Sequence, residues 1–254
     1  MPIITLLSDW QNNDYYVGIV KAGLLAKNSQ IQIIDISHQI KSFHLIEGAF
    51  ILRSCIDLFP KNTIHLVSIK TVVDKNSPIV VAKYKEQWII SSNNGFIDAL
   101  GLSYDNVWQA KSNDSSFPEL DYFVPIAHQI LVNSAQESWE TFSNYKKMIT
   151  ASPFVDSEKM ILQVHFVDSY GNIMIKIDRK QFELARNNRR FEIMIGSFRH
   201  KVSSLHTNYY DVPESEIFAL FNKANWMEIG IRNANISQVL NLNTESNIII
   251  KFFE

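Results

Sequence analysis

The sequence predicts an α/β domain with a mostly parallel sheet, followed by a small antiparallel β-barrel. In the first half, short apolar runs of strand character alternate with segments whose apolar residues recur at helical spacing. Strand, helix, strand, helix, strand is the order of βαβ units, in which the strands run parallel. After about residue 145 the pattern changes to short segments of alternating polarity. We therefore place the two domains at residues 1–145 and 155–254.

The elements predicted for the first domain begin with a strand at 3–8. A helix follows, with Asp14 as its expected N-cap, since a carboxylate can accept the free N–H groups of a first turn. The apolar face expected for this helix comprises Val17, Val20, Leu24 and Leu25. The other predicted elements are a strand at 31–36, a helix from His44 to Phe59, a strand at 63–69, strands at 78–84 and 87–91, and a helix from Asp121 to about Ser134. The polar segment at 133–153 suits a linker.

The second domain is predicted from seven segments of alternating polarity. They lie at 159–167, 172–177, 191–195, 198–202, 216–221, 226–231 and 247–253. Short strands at such regular spacing are typical of an antiparallel barrel or sandwich.

Composition argues against several classes of partner. The formal net charge is -2 and the basic residues are scattered, whereas a nucleic-acid groove or an anionic membrane surface needs clustered basic residues. The one short basic cluster, Arg186 to Arg190, is expected to be a solvated helix end. No apolar run approaches the roughly 20 residues that span a bilayer, and the N-terminus lacks a basic signal segment. Cys55 is the only cysteine, so a reducing cytoplasm is the expected location.

Several catalytic and metal-binding motifs are absent from the sequence. There is no Walker loop, no G-x-G-x-x-G, no G-x-S-x-G and no H-x-x-x-H or H-E-x-x-H pair, so we expect no metal site. His38, His65 and His165 lie in or beside predicted strands and are expected to be core or turn residues. Cys55 lies on the apolar face of a helix and is expected to be a packed thiol.

Polar residues follow the predicted parallel strands at the point where each strand ends. They are Asp9, Ser37 and His38, Ser68 to Thr71, and Asn93 to Gly95, and we call them the rim. Ligands in open α/β sheets bind beyond the carboxyl ends of the strands. The rim is therefore a candidate site, although polar strand ends also occur without a ligand.

The stretch HFVDSYGNIMIKI, from His165 to Ile177, interrupts two strands with a carboxylate, an aromatic ring, a glycine and an amide. One reading is a turn, because Asp, Gly and Asn are common turn residues. The other is a small-molecule site, in which the anion, the ring face and the amide converge from one loop. The stretch alone favours the turn, and the two readings are compatible.

Short motifs along the whole chain resemble those of a known family. In order, they read LLSDWQNNDYYVGIVKAGLL, DISHQI, LFPKNTIHLV, SSNNGFI, DYFVPIAHQI, VDSYGNIMIKI, and YYDVPES followed by FALFNKANWMEIGIRNAN. They resemble the S-adenosylmethionine (SAM) hydroxide adenosyltransferases, relatives of the SAM-dependent fluorinase and chlorinase. The sixth resembles the hallmark D-x-F-G-N-x-x-T-N-I of that family. The resemblance implies an N-terminal α/β domain followed by a small β-barrel.

The resemblance also implies roles for individual residues. Asp9 would accept both ribose hydroxyls, and Phe43 would cover the ribose and the sulfonium. Asp168 would face the amino group of the methionine moiety, Tyr170 would stack near the adenine, and Asn172 would hydrogen-bond the adenine edge. In the family this site lies between the α/β domain of one subunit and the barrel of the next, which implies a homotrimer. SAM or adenosine would be a substrate or ligand, and no cofactor is implied.

The resemblance fails at the catalytic positions. Members of the family activate water with an Asp, an Arg and a His, and here those positions carry Lys70, Ser77 and Pro118. Lys70 reverses the sign of the charge, Ser77 has no charge, and Pro118 has no titratable group. Asp74 lies four residues from Lys70 and could substitute through a shift of the loop. The family's C-terminal Ser-Gly is also changed, to residues 223–225 with the sequence Lys-Ala-Asn.

Three hypotheses remain open from the sequence. The first is a family member that binds SAM or an adenosine-type ligand and has lost or altered its hydrolytic activity. The second is an active enzyme that cleaves SAM to adenosine and methionine with other catalytic residues. The third is a structural or regulatory trimer without a ligand. Asp9, Asp168 and Asn172 favour the first two over the third, and the three changed catalytic positions favour the first over the second.

Overall fold

Two structural units make up the chain, Met1–Ile149 and Thr150–Glu254. The structure is a computed structural model that describes residues 1–74, 77–133, 139–148 and 154–254. The predicted linker at 133–153 is described only at residue 133 and at 139–148, and there the prediction is wrong. Glu140–Thr141 is a strand paired with the sheet of the first unit, and Trp139 is buried in its core. The helix predicted to reach about Ser134 ends at Leu131.

The described part of the first unit contains seven strands and four α-helices. They are β1 (Ile3–Ser8), α1 (Tyr16–Lys27), β2 (Gln32–Ser37), α2 (Leu45–Cys55), β3 (Ile64–Ser68), β4 (Ile79–Tyr84), β5 (Gln87–Ser92), α3 (Phe96–Ala99), β6 (Asn106–Ala110), α4 (Val124–Leu131) and β7 (Glu140–Thr141). A 3-10 turn, Ile56–Leu58, follows α2, and a π-helical turn, Glu119–Phe123, precedes α4.

These strands form one mixed, mostly parallel sheet in the order β2-β1-β3-β5-β4-β6-β7. The strands β2, β1, β3 and β5 are parallel neighbours, whereas β4 and β7 run in the opposite direction. Lys85 and Glu86 join β4 to β5 with φ angles of 46° and 64°. Two successive positive φ angles are typical of the tight hairpin turn that joins antiparallel strands.

Helices cover both faces of this sheet, as expected for βαβ units. Ile4 and Leu6 of β1 belong to a core cluster that includes α1 and α4, whereas Leu7 belongs to a cluster with α2 and α3. Side chains alternate between the two faces of a strand. The central strands are buried on both sides, and this accounts for their nearly continuous apolar sequence.

The structure corrects two details of the first helix. Tyr15 is the N-cap of α1 and makes no side-chain capping bond. Asp14 precedes that position by one residue, so its carboxylate is not at the cap. Val20 and Leu24 are buried, but Leu25 is 46% exposed because it lies a further 100° around the helix axis.

Other helix boundaries also differ from the prediction. The helix expected to reach Phe59 ends at Cys55 and continues only as a 3-10 turn. The helix expected from Asp121 begins earlier, as the π-helical turn that leads into α4. Helix α3, with four residues, is too short to show a helical period and was not predicted.

In the described part of the second unit the named strands pair antiparallel, one isolated bridge between His206 and Leu220 is parallel, and two helices are short. This unit contains β8 (Phe154–Val155), β9 (Lys159–Val167), β10 (Ile173–Ile175), α5 (Arg179–Arg186), β11 (Arg190–Ile195), β12 (Ser197–Val202), β13 (Ile217–Phe221), β14 (Met227–Ile231), α6 (Ile236–Val239) and β15 (Asn247–Phe253). The strand order is β12-β11-β15-β9-β10-β14-β13, and β8 pairs with β9. Each of the seven segments predicted from alternating polarity contains a strand.

The sheet of the second unit forms a nearly closed barrel, in agreement with the predicted architecture. Its terminal strands are β12 and β13. The chain between them bridges the remaining gap, because the His206 N–H donates to Ala219 O at 2.7 Å. The Ala219 amide nitrogen lies 3.2 Å from His206 Nδ1. Ile193, Ile229 and Ile248 are fully buried in the interior.

The predicted basic cluster, Arg186 to Arg190, is a helix end only in part, because Arg186 is the last residue of α5 and Arg190 is the first residue of β11. Helix α5 begins with a capping box, in which the Asp178 carboxylate accepts from the Gln181 amide and the Gln181 side chain accepts from the Asp178 amide. It ends at Arg186, and Asn187 follows in the left-handed region with φ 48°. This helix was not predicted from periodicity.

A chain of buried polar groups crosses the sheet of the first unit. Gln87 Nε2 donates to the carbonyl oxygens of Ile56 at 3.1 Å and Phe59 at 3.0 Å, so Gln87 Oε1 faces His65 Nε2 at 2.7 Å. A carbonyl oxygen only accepts, so Nε2 carries the ring proton, and Nδ1 accepts from the Thr5 hydroxyl at 2.7 Å. Burial lowers the pKa of His65 to about 4, as befits a neutral core histidine.

We expect the free energy of unfolding to fall as the pH drops from about 6.5 to about 4. The pKa of His65 in the folded chain lies below its unfolded value, so the unfolded chain binds the extra proton in this window. The loss approaches about 3 kcal/mol, since one pKa unit corresponds to ~1.4 kcal/mol. Urea denaturation at about pH 7 and about pH 4 measures this slope.

The slope should be smaller in His65→Gln, which has no titrating ring, and should remain in the control His200→Gln. Equal pH slopes in wild type and His65→Gln would contradict the assignment to His65.

Candidate functional site

Neighbouring parallel strands bring rim residues together at one edge of the first sheet. Because β2, β1, β3 and β5 run parallel, their carboxyl ends lie at the same edge. The Asp9 N–H donates to Ser68 O at 3.3 Å. Asn94 Nδ2 donates to Ile69 O at 2.8 Å and to Lys70 O at 3.3 Å. The segments after β1, β3 and β5 are therefore joined by direct hydrogen bonds.

The Asp9 carboxylate holds two distant loops at the end of β1. Asp9 Oδ2 accepts the Phe43 N–H at 2.7 Å and the Lys70 N–H at 3.2 Å. Both donor residues have a left-handed backbone, with φ angles of 67° and 49°. Among the described residues, no donor contacts Asp9 Oδ1. That oxygen can accept hydroxyl groups of a ligand, since an ionised carboxylate has acceptor capacity on both oxygens.

The Phe43 ring and the Lys70 side chain are exposed beside this carboxylate. Phe43 is 69% exposed, which is unusual for so large an apolar side chain. An exposed ring at a site edge can cover the face of a ligand.

Ser77 and Pro118, the other two positions to which the resemblance assigns catalytic roles, have structural partners. Ser77 N–H donates to Asp74 Oδ1 at 2.8 Å, and the two residues also pair through their backbones. The turn between them includes residues 75–76, which lie outside the described residues. Pro118 is the N-cap of the π-helical turn.

His38 is a buried structural residue, as predicted. Ser8 Oγ lies 2.7 Å from His38 Nδ1, and Asp35 Oδ1 lies 3.2 Å from His38 Nε2. The three residue types match those of a catalytic triad. However, Ser8 is only 1% exposed, so its hydroxyl cannot meet a substrate, and the chain of contacts joins β1 to β2.

Glu119 is a buried carboxyl that the sequence analysis did not single out. It follows Pro118 in the π-helical turn and is 4% exposed. Burial raises its pKa and the charge of Asp9 adds to the rise; the neighbouring Thr71 and Ser68 oppose it, and the net shift is upward. Helical π turns are often found at functional sites. The sequence offered one indication of Glu119: it directly follows Pro118, a position at which the chain differs from the motif that it resembles.

The residues of the 168–172 stretch form a tight turn in the second unit. Asp168 Oδ1 accepts the Tyr170 N–H at 2.9 Å and the Asn172 N–H at 2.8 Å. Gly171 has a φ angle of 84°, and a Cβ there would lie 2.0 Å from Asn235 Oδ1. The turn reading is therefore confirmed. Asp168 is half-buried, and burial raises its pKa against the opposing effect of these backbone donors.

The same turn presents one exposed ring and one buried amide. Tyr170 is 78% exposed and available for stacking, whereas Asn172 is 9% exposed. Asn172 Nδ2 donates to Glu228 Oε1 at 3.0 Å, and Asn222 Nδ2 lies 3.3 Å from Glu228 Oε2. Glu228 is a second buried carboxyl that the sequence analysis did not single out, and burial raises its pKa.

The predicted ligand-binding residues thus form two groups. Asp9 and Phe43 meet at the rim of the first unit, and Asp168, Tyr170 and Asn172 share one turn of the second. Across the described ranges, no group of three or more His, Cys, Asp or Glu could hold a metal ion.

Two further observations concern the thiol and the membrane. Burial raises the pKa of Cys55 to about 11, and its Sγ lies 3.4 Å from Ile51 O, in keeping with a packed thiol. In the part of the chain that the structure describes, no helix combines the length and apolarity needed to cross a membrane.

Two features define the class of protein. The first unit is an α/β unit with polar groups at its strand ends, and the second is a barrel with an Asp-x-Tyr-Gly-Asn turn. The sequence matches the SAM hydroxide adenosyltransferase N-terminal domain over residues 4–140. It matches the SAM hydroxide adenosyltransferase C-terminal domain over residues 162–249. The chain therefore belongs to the SAM hydroxide adenosyltransferase family.

One named relative and two solved structures are similar to this chain, and the two structures show the fold. A protein of Methanocaldococcus jannaschii named (R)-S-adenosyl-L-methionine hydrolase is 25% identical over 258 residues, which cover 95% of this chain and 93% of that protein. An uncharacterized conserved protein from Thermotoga maritima shares the fold with a TM-score of 0.86 and 24% identity, covering 97% of this chain and 99% of the other. A conserved hypothetical protein from Thermus thermophilus has a TM-score of 0.76 and 18% identity, with 100% of both chains covered.

Proposed function

We propose that this protein binds SAM or an adenosine-type ligand at a subunit interface and that its hydrolytic activity is lost or altered. The observation that carries the proposal is the Asp9 carboxylate, which uses one oxygen for two backbone amides and leaves the other without a donor among the described residues. Two vicinal ribose hydroxyls are suitable donors for such an oxygen. SAM would be the substrate or ligand, and its own sulfonium is the leaving group, so no cofactor is required.

The second unit supports the same ligand class. The exposed Tyr170 ring offers a stacking surface for a purine, and Asp168 in the same turn offers an anion for the amino group of methionine. The name of the Methanocaldococcus relative, a SAM hydrolase, points to the same substrate.

The changed catalytic positions support the loss or alteration of hydrolysis. An ammonium at Lys70 repels a sulfonium, and neither Ser77 nor Pro118 can exchange a proton with water at neutral pH. Asp74 accepts a hydrogen bond from the Ser77 amide, an arrangement that closes its own turn.

A homotrimer is part of the proposal. The ligand-facing residues are divided between the two units, as they are when a site forms between subunits. Large exposed rings support an interface, since Phe43 is 69%, Tyr170 is 78% and Tyr210 is 76% exposed in the single chain.

We expect the protein in solution to have a mass about three times the 29.3 kDa of one chain. Size-exclusion chromatography with light scattering at micromolar concentration measures this mass. A monomer would contradict the proposed interface site.

We expect adenosine to bind more tightly than SAM. An exposed ammonium about 5 Å from a sulfonium costs on the order of 1–2 kcal/mol, or roughly a tenfold loss of affinity, and adenosine escapes this cost because it is neutral. Lys70→Met, which keeps the length and removes the charge, should strengthen SAM binding and leave adenosine binding nearly unchanged. Isothermal titration calorimetry measures both dissociation constants.

Lys27→Ala removes an exposed charge at the end of α1 and serves as the matched control. A wild-type preference for SAM, or an equal loss of both ligands in Lys70→Met, would show that Lys70 does not face the sulfonium.

One observation favours a second candidate function, an active SAM hydrolase with other catalytic residues. Glu119 is buried beside Ser68 and Thr71, and a carboxyl with a raised pKa is a suitable general base. It follows the position at which the family carries its catalytic His. In such an enzyme, water would lose its proton to Glu119 and attack the ribose 5′ carbon as the bond to sulfur breaks, releasing adenosine and methionine.

Under the first candidate, we expect no release of adenosine from SAM above the protein-free control at neutral pH. Water is a weak nucleophile, and the missing general-base assistance is typically worth 10²–10⁴-fold. Liquid chromatography of the products measures the release.

The second candidate would replace the first if turnover were observed, lost in Glu119→Gln and kept in Asp121→Asn. Asp121 is an exposed carboxylate of the same π-helical turn, bonded to Ser115, so it provides the matched control. Turnover lost only in Asp74→Ala would assign the reaction to the loop at 74–77.

A further inference from the structure

We infer that Glu228 determines base specificity, by fixing the Asn172 amide in the one orientation that accepts a 6-amino purine and repels a 6-oxo purine. Glu228 would act through Asn172 and is therefore a positioning residue. The inference rests on the proposed function, because Asn172 meets a purine only if the chain binds an adenosine-type ligand.

The orientation of the Asn222 side-chain amide follows from its backbone partners. Its Oδ1 accepts the N–H groups of Ala224 at 3.0 Å and Trp226 at 3.2 Å. Backbone N–H groups only donate, so the oxygen of this amide must face them and its Nδ2 must face elsewhere. That nitrogen lies 3.3 Å from Glu228 Oε2, which therefore accepts.

The Asn172 side-chain amide contacts the other oxygen of the Glu228 carboxylate. Asn172 Nδ2 lies 3.0 Å from Glu228 Oε1. Rotating the amide by half a turn would place its oxygen against a carboxylate oxygen inside a buried cluster, where Glu228 is 3% exposed. Two acceptors in contact without a proton between them are strongly disfavoured in such surroundings. The ionised carboxylate therefore allows only one orientation of the Asn172 amide.

The backbone of β14 fixes the position of that amide as well as its orientation. Glu228 and Gly230 point to the same face of the strand, since they are two residues apart. A Cβ at Gly230 would lie 2.2 Å from Asn172 Oδ1. The amide therefore occupies space that any side chain at position 230 would fill.

The fixed Asn172 amide matches the hydrogen-bonding edge of one kind of purine. With one N–H donated to Glu228, Asn172 keeps its oxygen as an acceptor and its second N–H as a donor. An amide of this kind pairs with the 6-amino group and the adjacent ring nitrogen of adenine. A 6-oxo purine presents an oxygen where the amino group would be, and the fixed amide oxygen repels it.

Calorimetry with adenosine, inosine and purine riboside tests the inference at about pH 8, because alkaline pH favours the ionised carboxylate. The wild-type protein should prefer adenosine to inosine by roughly ten- to a hundredfold, the discrimination typical of one bidentate amide–base pair. Purine riboside, which has neither an amino group nor an oxygen at position 6, should bind between the two. Inosine binding at least as tightly as purine riboside would overturn the fixed orientation, and this comparison needs no variant.

Glu228→Gln supplies a side chain of the same shape that can donate to the Asn172 oxygen, so both orientations become possible. The ratio of the inosine to the adenosine dissociation constant should then fall about tenfold, with inosine gaining affinity. Glu192→Gln alters a barrel carboxylate paired with Lys201 and should leave the ratio unchanged.

A merely structural role for Glu228 would weaken both nucleosides by the same factor, and an unchanged ratio in Glu228→Gln would overturn the inference alone. A wild-type protein that binds none of the three nucleosides would instead overturn the proposed function, and the inference with it.

Discussion

The arrangement of the rim depends on one carboxylate with two backbone donors. Asp9 accepts amides that lie 34 and 61 residues further along the chain, and it thereby joins the loops after β2 and β3 to the end of β1. Both loops present their amides through left-handed residues, a conformation that L residues adopt only when their surroundings impose it. These two hydrogen bonds therefore fix both loops against the end of β1.

Periodicity in the sequence predicted the elements whose burial is regular along their whole length. The barrel strands alternate between an apolar interior and a more polar exterior, so each of the seven segments could be located. The elements that were missed or misplaced obey local constraints instead. Helix α5 has only eight residues and one fully buried side chain, Phe182, so its apolar face is too short to show a period. The turn at Glu119 departs from the α-helical period altogether. The prediction of Asp14 as the N-cap was wrong by one residue, because periodicity does not locate a helix boundary to a single residue.

The sequence predicted those residues of the candidate site that lie in one short stretch. It did not predict residues whose place in the site depends on burial by distant parts of the chain. Asp168, Tyr170 and Asn172 share a five-residue turn, so the sequence brought them together without a structure. Glu228 has the alternating position of an outward-facing strand residue, and such a residue is normally exposed. It is buried because Asn172, Asn222 and Tyr209, from other parts of the barrel unit, lie against it. Burial raises the pKa of Tyr209 to about 12, and the charge of Glu228 contributes to this rise. No local pattern reports contacts of that kind.

The gap that His206 bridges between β12 and β13 has a mechanical consequence for the barrel. Elsewhere the wall is held by continuous ladders of backbone hydrogen bonds, whereas here one residue supplies the contacts with Ala219. A sheet opens most easily where the fewest bonds must break at once, and local opening of a protein follows such lines. Opening at this point would uncover the edges of two strands together and turn a closed wall into a surface that can pair with another chain.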